Sequence, residues 1–371
     1  MTPLATPSPD LSVLPGGLLA PFDEVRAISW DEASGTGRVE AVRRNRLDDW
    51  YYPCHFLGDP VMPGCWGLDG VWQALRLFAS WRGLPATKPL GMEGVSFFGQ
   101  IRPYDREVVY CVDVLSVERD GPEVLVTGKA TVSVDGVPVY TIDSAQAGSA
   151  YWESDGAAEP ALPPVPARAL PTPLSWAEFQ ARESMTRAEV IALSSGRLVA
   201  DAPAEMPLLP DSLMREVSEV NRLSRDAATG EGEVLACRDN GPREWFYAMS
   251  PGAKPAALLV DAVWQLIGVF HAWSGSAGAG RALGFERVEF HGEVRPEDPR
   301  MTVRVKVLKT FRAPSTGDAF VRADAEVFAG GRKVMTCVNA SVGCHRGIRY
   351  ADYPFASALS RGGRLSGRDD R

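Results

Sequence analysis

The sequence predicts an α+β protein made of two similar halves, each a long apolar helix followed by a meander of antiparallel strands. Three observations carry that prediction. Segments of the first half recur in the second, in the same order. Each half holds one helix-length apolar run. After each run come alternating stretches rich in β-branched residues, punctuated by turn dipeptides.

The recurrence is direct. "ISWDEASGTGRVEAVRRNRLDDWYY" (Ile28–Tyr52) parallels "LSRDAATGEGEVLACRDNGPREWFY" (Leu223–Tyr247) at an offset of 195. "LDGVWQ" (Leu68–Gln73) parallels "VDAVWQ" (Val260–Gln265) at 192, and "LGMEGVSFFGQIRP" (Leu90–Pro103) parallels "LGFERVEFHGEVRP" (Leu283–Pro296) at 193. Three matches in one order indicate a tandem duplication.

Each copy opens with a strand region and a turn, then a helix of about sixteen residues, Gly64–Ala79 in the first and Ala256–Trp273 in the second. The first helix is apolar on nearly all sides, so it is predicted to be buried. Its polar exceptions, Asp69, Gln73 and Arg76, sit at i, i+4 and i+7 and share one face. The runs that follow, such as "EVVYCVDVLSV" and "MTVRVKVLKTF", alternate with period two, with "VDGV" and "AGGR" as hairpin turns. One helix and then strands is an α+β order. A buried helix wrapped by a curved antiparallel sheet is the hotdog arrangement, here twice, with two sheets and an intrachain pseudo-dimer.

Between the copies, residues 154–206 are predicted to be a stiff Pro/Ala linker carrying one short helix, "WAEFQARESMTRAEVIALSSG". The remaining boundaries are a Pro-rich disordered tail at 1–17, a first hotdog at 18–153, a second at 207–345 and a mobile tail at 346–371.

Composition narrows the function classes. A formal charge of −8 argues against nucleic acid as a partner, which calls for a basic face. No apolar run approaches the ~20 residues that span a bilayer, and the start lacks a basic n-region and an apolar h-region. A cytoplasmic protein is expected. The six cysteines show no CxxC spacing and are expected to be reduced thiols, with no structural zinc. No GxGxxG after a strand, GxxxxGK[ST] or HExxH is present, so neither nucleotide nor metal is called for.

One segment carries chemistry. "CHFLGDPVMPGCWGLDGVWQ" (Cys54–Gln73) resembles the signature of the β-hydroxyacyl-acyl-carrier-protein dehydratases, in particular the β-hydroxydecanoyl dehydratase/isomerase branch. The match runs from Trp50 to Pro103 nearly without gaps and weakens in the later strands. The second copy resembles the same family with a degenerate N-terminal part. The tandem arrangement, with "MTRAEVIALSSG" ahead of copy two, is similar to the paired dehydratase domains of polyunsaturated fatty acid and polyketide synthases.

The resemblance implies a site shared between two hotdogs, with the histidine from one and the acid from the central helix of the other. Carried over, copy one supplies His55 and copy two supplies Asp261. It also implies that the carbonyl of Val61 orients the imidazole and that Cys54, Cys65 and Pro63 line the site. The reciprocal site would pair Asp69 and Gln73 with Tyr247 or Ser250, depending on where a three-residue deletion falls. Neither can act as a neutral-pH base as imidazole can, so that site is expected to be vestigial.

The residues fit the chemistry of removing water from a 3-hydroxyacyl thioester. Imidazole titrates near neutrality and suits abstraction of the C2 proton. Asp261, in a helix of Ala, Leu and Val, should have a raised pKa and protonate the leaving hydroxyl. Gln265, one turn on, can orient that carboxyl. Gly64 opens the first helix, so its free N–H and the helix dipole can face the thioester oxygen. No cofactor is expected, because the phosphopantetheine of an acyl carrier protein, or coenzyme A, arrives with the substrate. The expected partners are an acyl carrier protein and other synthase components, with no nucleic acid and no membrane. A monomeric pseudo-dimer and a homodimer both satisfy the repeat. Dehydration with isomerisation of the trans-2 product to cis-3, a non-catalytic acyl-binding scaffold and a hotdog thioesterase are the alternatives. His271, His291 and His345 lack the motif and read as structural, and "RRNR" (Arg43–Arg46) as a solvated face or a dock for an acidic carrier.

Overall fold

The computed structural model describes residues 9–168, 173–203 and 206–346. The first half contributes strands β1 (Glu24–Asp31), β2 (Thr36–Arg44), β3 (Lys88–Phe97), β4 (Glu107–Asp120), β5 (Glu123–Val134) and β6 (Val137–Gly148) around helix α1 (Gly64–Trp81). The linker holds α2 (Trp176–Gln180) and α3 (Arg187–Ser194). The second half repeats the pattern: β7 (Glu219–Arg225), β8 (Gly232–Asp239), β9 (Ala279–Phe290), β10 (Arg300–Arg312), β11 (Ala319–Ala329) and β12 (Arg332–His345) around α4 (Ala256–Trp273).

The two expected sheets are continuous. Strand order is β1-β2-β4-β5-β6-β3-β9-β12-β11-β10-β8-β7, a palindrome about the antiparallel β3–β9 pair. The duplicated Leu-Gly dipeptide sits at that seam. Gly91 pairs with Glu289 and Gly284 with Ser96, and a Cβ on either glycine would run into a carbonyl across the join, that of Val288 or Val95. Equivalent residues also meet on the pseudo-twofold axis: Trp50 and Trp245 pack edge-on with ring centroids 4.8 Å apart.

The alternation read from the sequence is the inward set. In β4, Val108, Tyr110, Val112 and Val114 are buried while their neighbours are not. The β5–β6 turn places Asp135 and Gly136 at positive φ, and the β11–β12 turn does the same with Gly330 and Gly331, the conformation a tight hairpin requires. Both long helices are buried along most of their length. By length and composition α4 would span a bilayer, but 83% of that span is buried inside the protein as the core of the second half.

The linker departs from expectation in two ways. The predicted single helix is two, because two capping boxes, Ser175 with Glu178 and Thr186 with Glu189, each start a new one. Between them Met185 makes a bridge to Val220. The extended stretch before α2 is also bound to the second half. Glu159 accepts from the Thr302 hydroxyl (2.6 Å) and the Gly331 amide (2.8 Å), and Asn221 donates to the Pro163 carbonyl (3.0 Å). At the N-terminus, part of the expected disordered tail is ordered: Leu11–Val13 forms a 3-10 turn capped by Asp10. Residues 1–8, and the predicted C-terminal tail beyond 346, lie outside the described residues.

Candidate active site

Cavity one lies at the junction of the halves and encloses about 750 Å³ including its open mouth, within the range usual for small-molecule sites. Its walls include His55, Val61 and Gly64 from the first half and Asp261, Gln265 and Gly268 from the second. The structure therefore brings together the predicted histidine and aspartate, as well as the three residues expected to support them.

His55 sits on the loop before α1, and its ring is buried. Its Nδ1 lies 2.9 Å from the Val61 carbonyl. A carbonyl only accepts, so Nδ1 carries the hydrogen and Nε2 keeps its lone pair. Burial lowers the imidazole pKa to about 4, the Val61 carbonyl opposing. Near neutral pH the ring is uncharged and able to accept a proton.

Asp261 lies one turn into α4 and is buried. Desolvation raises its pKa to about 7, against the hydrogen bond from Gln265, so much of it is protonated at neutral pH. Gln265 Nε2 donates to Asp261 Oδ2 (2.6 Å) and to the Met214 carbonyl (2.7 Å), while its Oε1 accepts from the Glu216 amide (2.8 Å). The amide is held at both ends, and with it the carboxyl.

Gly64 begins α1, where its N–H has no acceptor within the helix. A Cβ there would crowd the Phe97 ring at 3.1 Å. Phe97, Tyr140 and Trp264 form an aromatic wall, with centroids 4.4 Å (Phe97–Tyr140) and 5.4 Å (Phe97–Trp264) apart.

The expected lining by Cys54, Cys65 and Pro63 needs correction, since none is on the cavity wall. The Cys65 thiol of α1 is buried and hydrogen-bonds the Asp261 carboxyl, which does line the cavity. The Cys54 thiol turns to the Tyr51 carbonyl (3.4 Å), and Pro63 occupies the N-cap of α1. Of the "RRNR" arginines, Arg43 is largely buried and pairs with Asp49, whereas Arg44 and Arg46 pair with Glu24 and Asp23 at the surface and stay at least half exposed.

Sequence reasoning missed two features. Arg281 of β9 grips Asp59, four residues after His55, through two bonds of 2.7 and 2.8 Å, and its Nε donates to Gln100 (2.8 Å). The segment Pro207–Pro210 covers part of the cavity. That segment had a signal: "LLPDSLM" (Leu208–Met214) matches "VLPGGLL" (Val13–Leu19) at the same offset of 195.

A second cavity surrounds Asp69 and Gln73 and includes Ser250 but not Tyr247. Tyr247 donates to Asn240 (3.0 Å), as Tyr52 does to Asn45 (2.6 Å), so it is the counterpart of Tyr52. Ser250 takes the histidine's place. Its hydroxyl donates to the Ala253 carbonyl (2.9 Å), and Ala253 is the counterpart of Val61. The other histidines have partners: His271 with Ser276 and Val342, His291 with Thr336, His345 with Asp318. Among the described residues, no group of three or more His, Cys, Asp or Glu is placed to hold a metal ion.

Comparison with known proteins agrees with the repeat. Solved structures of similar fold include GphF Dehydratase 1, at 16% identity, with 86% of this chain and 97% of that one covered and a TM-score of 0.50. A trans-AT PKS dehydratase domain from Brevibacillus brevis gives 10% identity, the same two coverages and a TM-score of 0.50. The FabA-like domain matches twice, over residues 14–143 and 209–338. The chain belongs to the FabA-like domain family, as a tandem, double-hotdog member.

Proposed function

We propose that the chain is a hydro-lyase that eliminates water from 3-hydroxyacyl thioesters, giving trans-2-enoyl thioesters. The observation that carries this is the pairing, in one cavity, of a neutral imidazole with a free Nε2 and a carboxyl whose pKa is raised to about 7. His55 Nε2 takes the C2 proton, the electron pair of that C–H bond forms the C2=C3 double bond, and the C3–O bond breaks. Asp261 gives its proton to the departing hydroxyl, which leaves as water. The negative charge that builds on the thioester oxygen is met by the Gly64 N–H at the positive end of α1. Return of the proton from His55 to Asp261 through solvent completes the cycle.

The substrate arm would be the phosphopantetheine of an acyl carrier protein, or coenzyme A, with no resident cofactor. Work in the cytoplasm beside other components of a fatty acid or polyketide synthase is consistent with this reading. The test is mass-spectrometric detection of an 18-dalton loss from 3-hydroxyacyl pantetheine thioesters. His55→Ala is expected to lower turnover by on the order of 10²–10⁴-fold. Unchanged turnover in that variant would leave the cavity as an acyl-binding scaffold.

A further inference from the structure

The helix face that carries Asp261 and Gln265 next presents Gly268, at i, i+4 and i+7. Glycine in a helix interior costs up to about 1 kcal/mol relative to alanine, so its presence calls for a reason. Three glycines of α1 have one: a Cβ on Gly64 would crowd Phe97, on Gly67 would collide with Tyr140, and on Gly70 with Tyr110. Gly268 has no such neighbour. A Cβ built there meets nothing within 4 Å, and the residue lines cavity one. The space beside it is the cavity itself. Its counterpart at the offset of 192 is Arg76, whose side chain reaches into the wall of cavity two.

We infer that Gly268 is a specificity-determining position, left without a side chain so that the acyl chain of the substrate can run along α4 past the catalytic pair. It lies seven residues beyond Asp261, or about 10 Å along the helix axis. Ala282 of β9 and Val342 of β12 also line the cavity, so several apolar surfaces face such a chain. The ligand class is a 3-hydroxyacyl thioester with a linear alkyl tail long enough to reach that depth. This rests on reading the cavity as an acyl-thioester seat.

The test replaces Gly268 with Ala and with Leu and measures kcat/KM over a series of 3-hydroxyacyl pantetheine thioesters of increasing chain length. The ratio for the longest to the shortest substrate is expected to fall in the order Gly, Ala, Leu, with a drop of roughly tenfold or more for Leu. Gly268→Ala is also expected to raise Tm by roughly 1–2 °C, because the helix gains propensity without a clash. A length profile that stays parallel to the parent, or a Tm that falls in Gly268→Ala, would overturn the inference. If Gly268→Leu does not fold, the alanine variant decides both readouts.

A second arm separates this inference from the proposed reaction. Saturated acyl-pantetheine amides cannot undergo elimination, and calorimetry gives their affinity against chain length. A parent protein that turns over no substrate, but binds longer amides more tightly in a manner flattened by Gly268→Leu, fails the reaction and keeps the inference. Turnover with an unaltered length profile does the reverse.

Discussion

Cavity one and cavity two are built on the same helix face and differ in how firmly its amide is held. In the first, Gln265 makes three hydrogen bonds of 2.6–2.8 Å, one of them to Asp261. In the second, Gln73 reaches Asp69 only at 3.4 and 3.5 Å, and its Oε1 is buried without a partner. The cause lies outside both helices. Glu216 supplies the amide that pins Gln265, and its counterpart at the offset of 195 is Pro21, which has no N–H to give. Cavity two has serine in the place of histidine, and it also lacks the clamp on its carboxyl. Ser250 donates to the carbonyl that matches Val61, so both halves keep a side-chain hydrogen bond to that loop carbonyl while only the first has an imidazole there.

The sharpest way to break this asymmetry is to remove each acid in turn. Asp261→Asn is expected to cost 10²-fold or more in turnover, on the order of general-acid losses elsewhere, whereas Asp69→Asn should leave turnover at the parent level. The pH profile of the parent carries the same information. The active form pairs neutral His55 with protonated Asp261, so activity is expected between about pH 4 and 7 and to decline as Asp261 ionises above about 7. Equal losses from the two substitutions would mean that both cavities work.

Next in size is the cross-half clamp. Asp59→Asn leaves the Arg281 guanidinium, 5% exposed, without its carboxylate. Urea denaturation is expected to show a loss of about 3 kcal/mol, and because Asp59 lies on the loop of His55, KM should change with it. A stability change below the error of the measurement would remove the clamp from the account.

Asp69 itself should be a burden. Its folded pKa is raised to about 6 by burial, above the ordinary 3.8, so the protonated form favours folding and stability is lost as pH climbs through that interval. Asp69→Asn is therefore expected to gain on the order of 3 kcal/mol over the parent at pH 8 and to approach it near pH 4. A gain independent of pH would assign the effect to packing.

The smallest expected effect is at a turn that the halves solve differently. Gly17 and Ser212 are counterparts, and both have positive φ, 59° and 49°. Ser212→Gly should relieve the strain of a side chain there and add about 0.5–1 kcal/mol, read as a rise in denaturation midpoint.

What the sequence revealed follows from what is local. The duplication, both long helices, the strand alternation and the Asp-Gln spacing are properties of short windows, and His55 sits within a compact motif. The Arg281–Asp59 grip joins residues 222 apart in the chain and left no periodic trace. The linker helix was split by two capping boxes inside one apparently continuous pattern. Cys65 neighbours Gly64 in sequence but is not itself on the cavity wall; its thiol is buried and reaches the site through its hydrogen bond to the Asp261 carboxyl. The Tyr247-or-Ser250 ambiguity needed the Tyr247–Asn240 bond to resolve it.

The unbroken ladder across β3 and β9 has an evolutionary consequence. In a pair of identical chains every substitution is copied to both sides of the axis, so neither centre can drift without the other. Fusing the partners into one polypeptide lifts that constraint, and it also makes assembly of the shared pocket independent of dilution. One side carries Pro21, Ser250 and Arg76 where its sibling carries Glu216, His55 and Gly268, a difference that two identical chains could not hold.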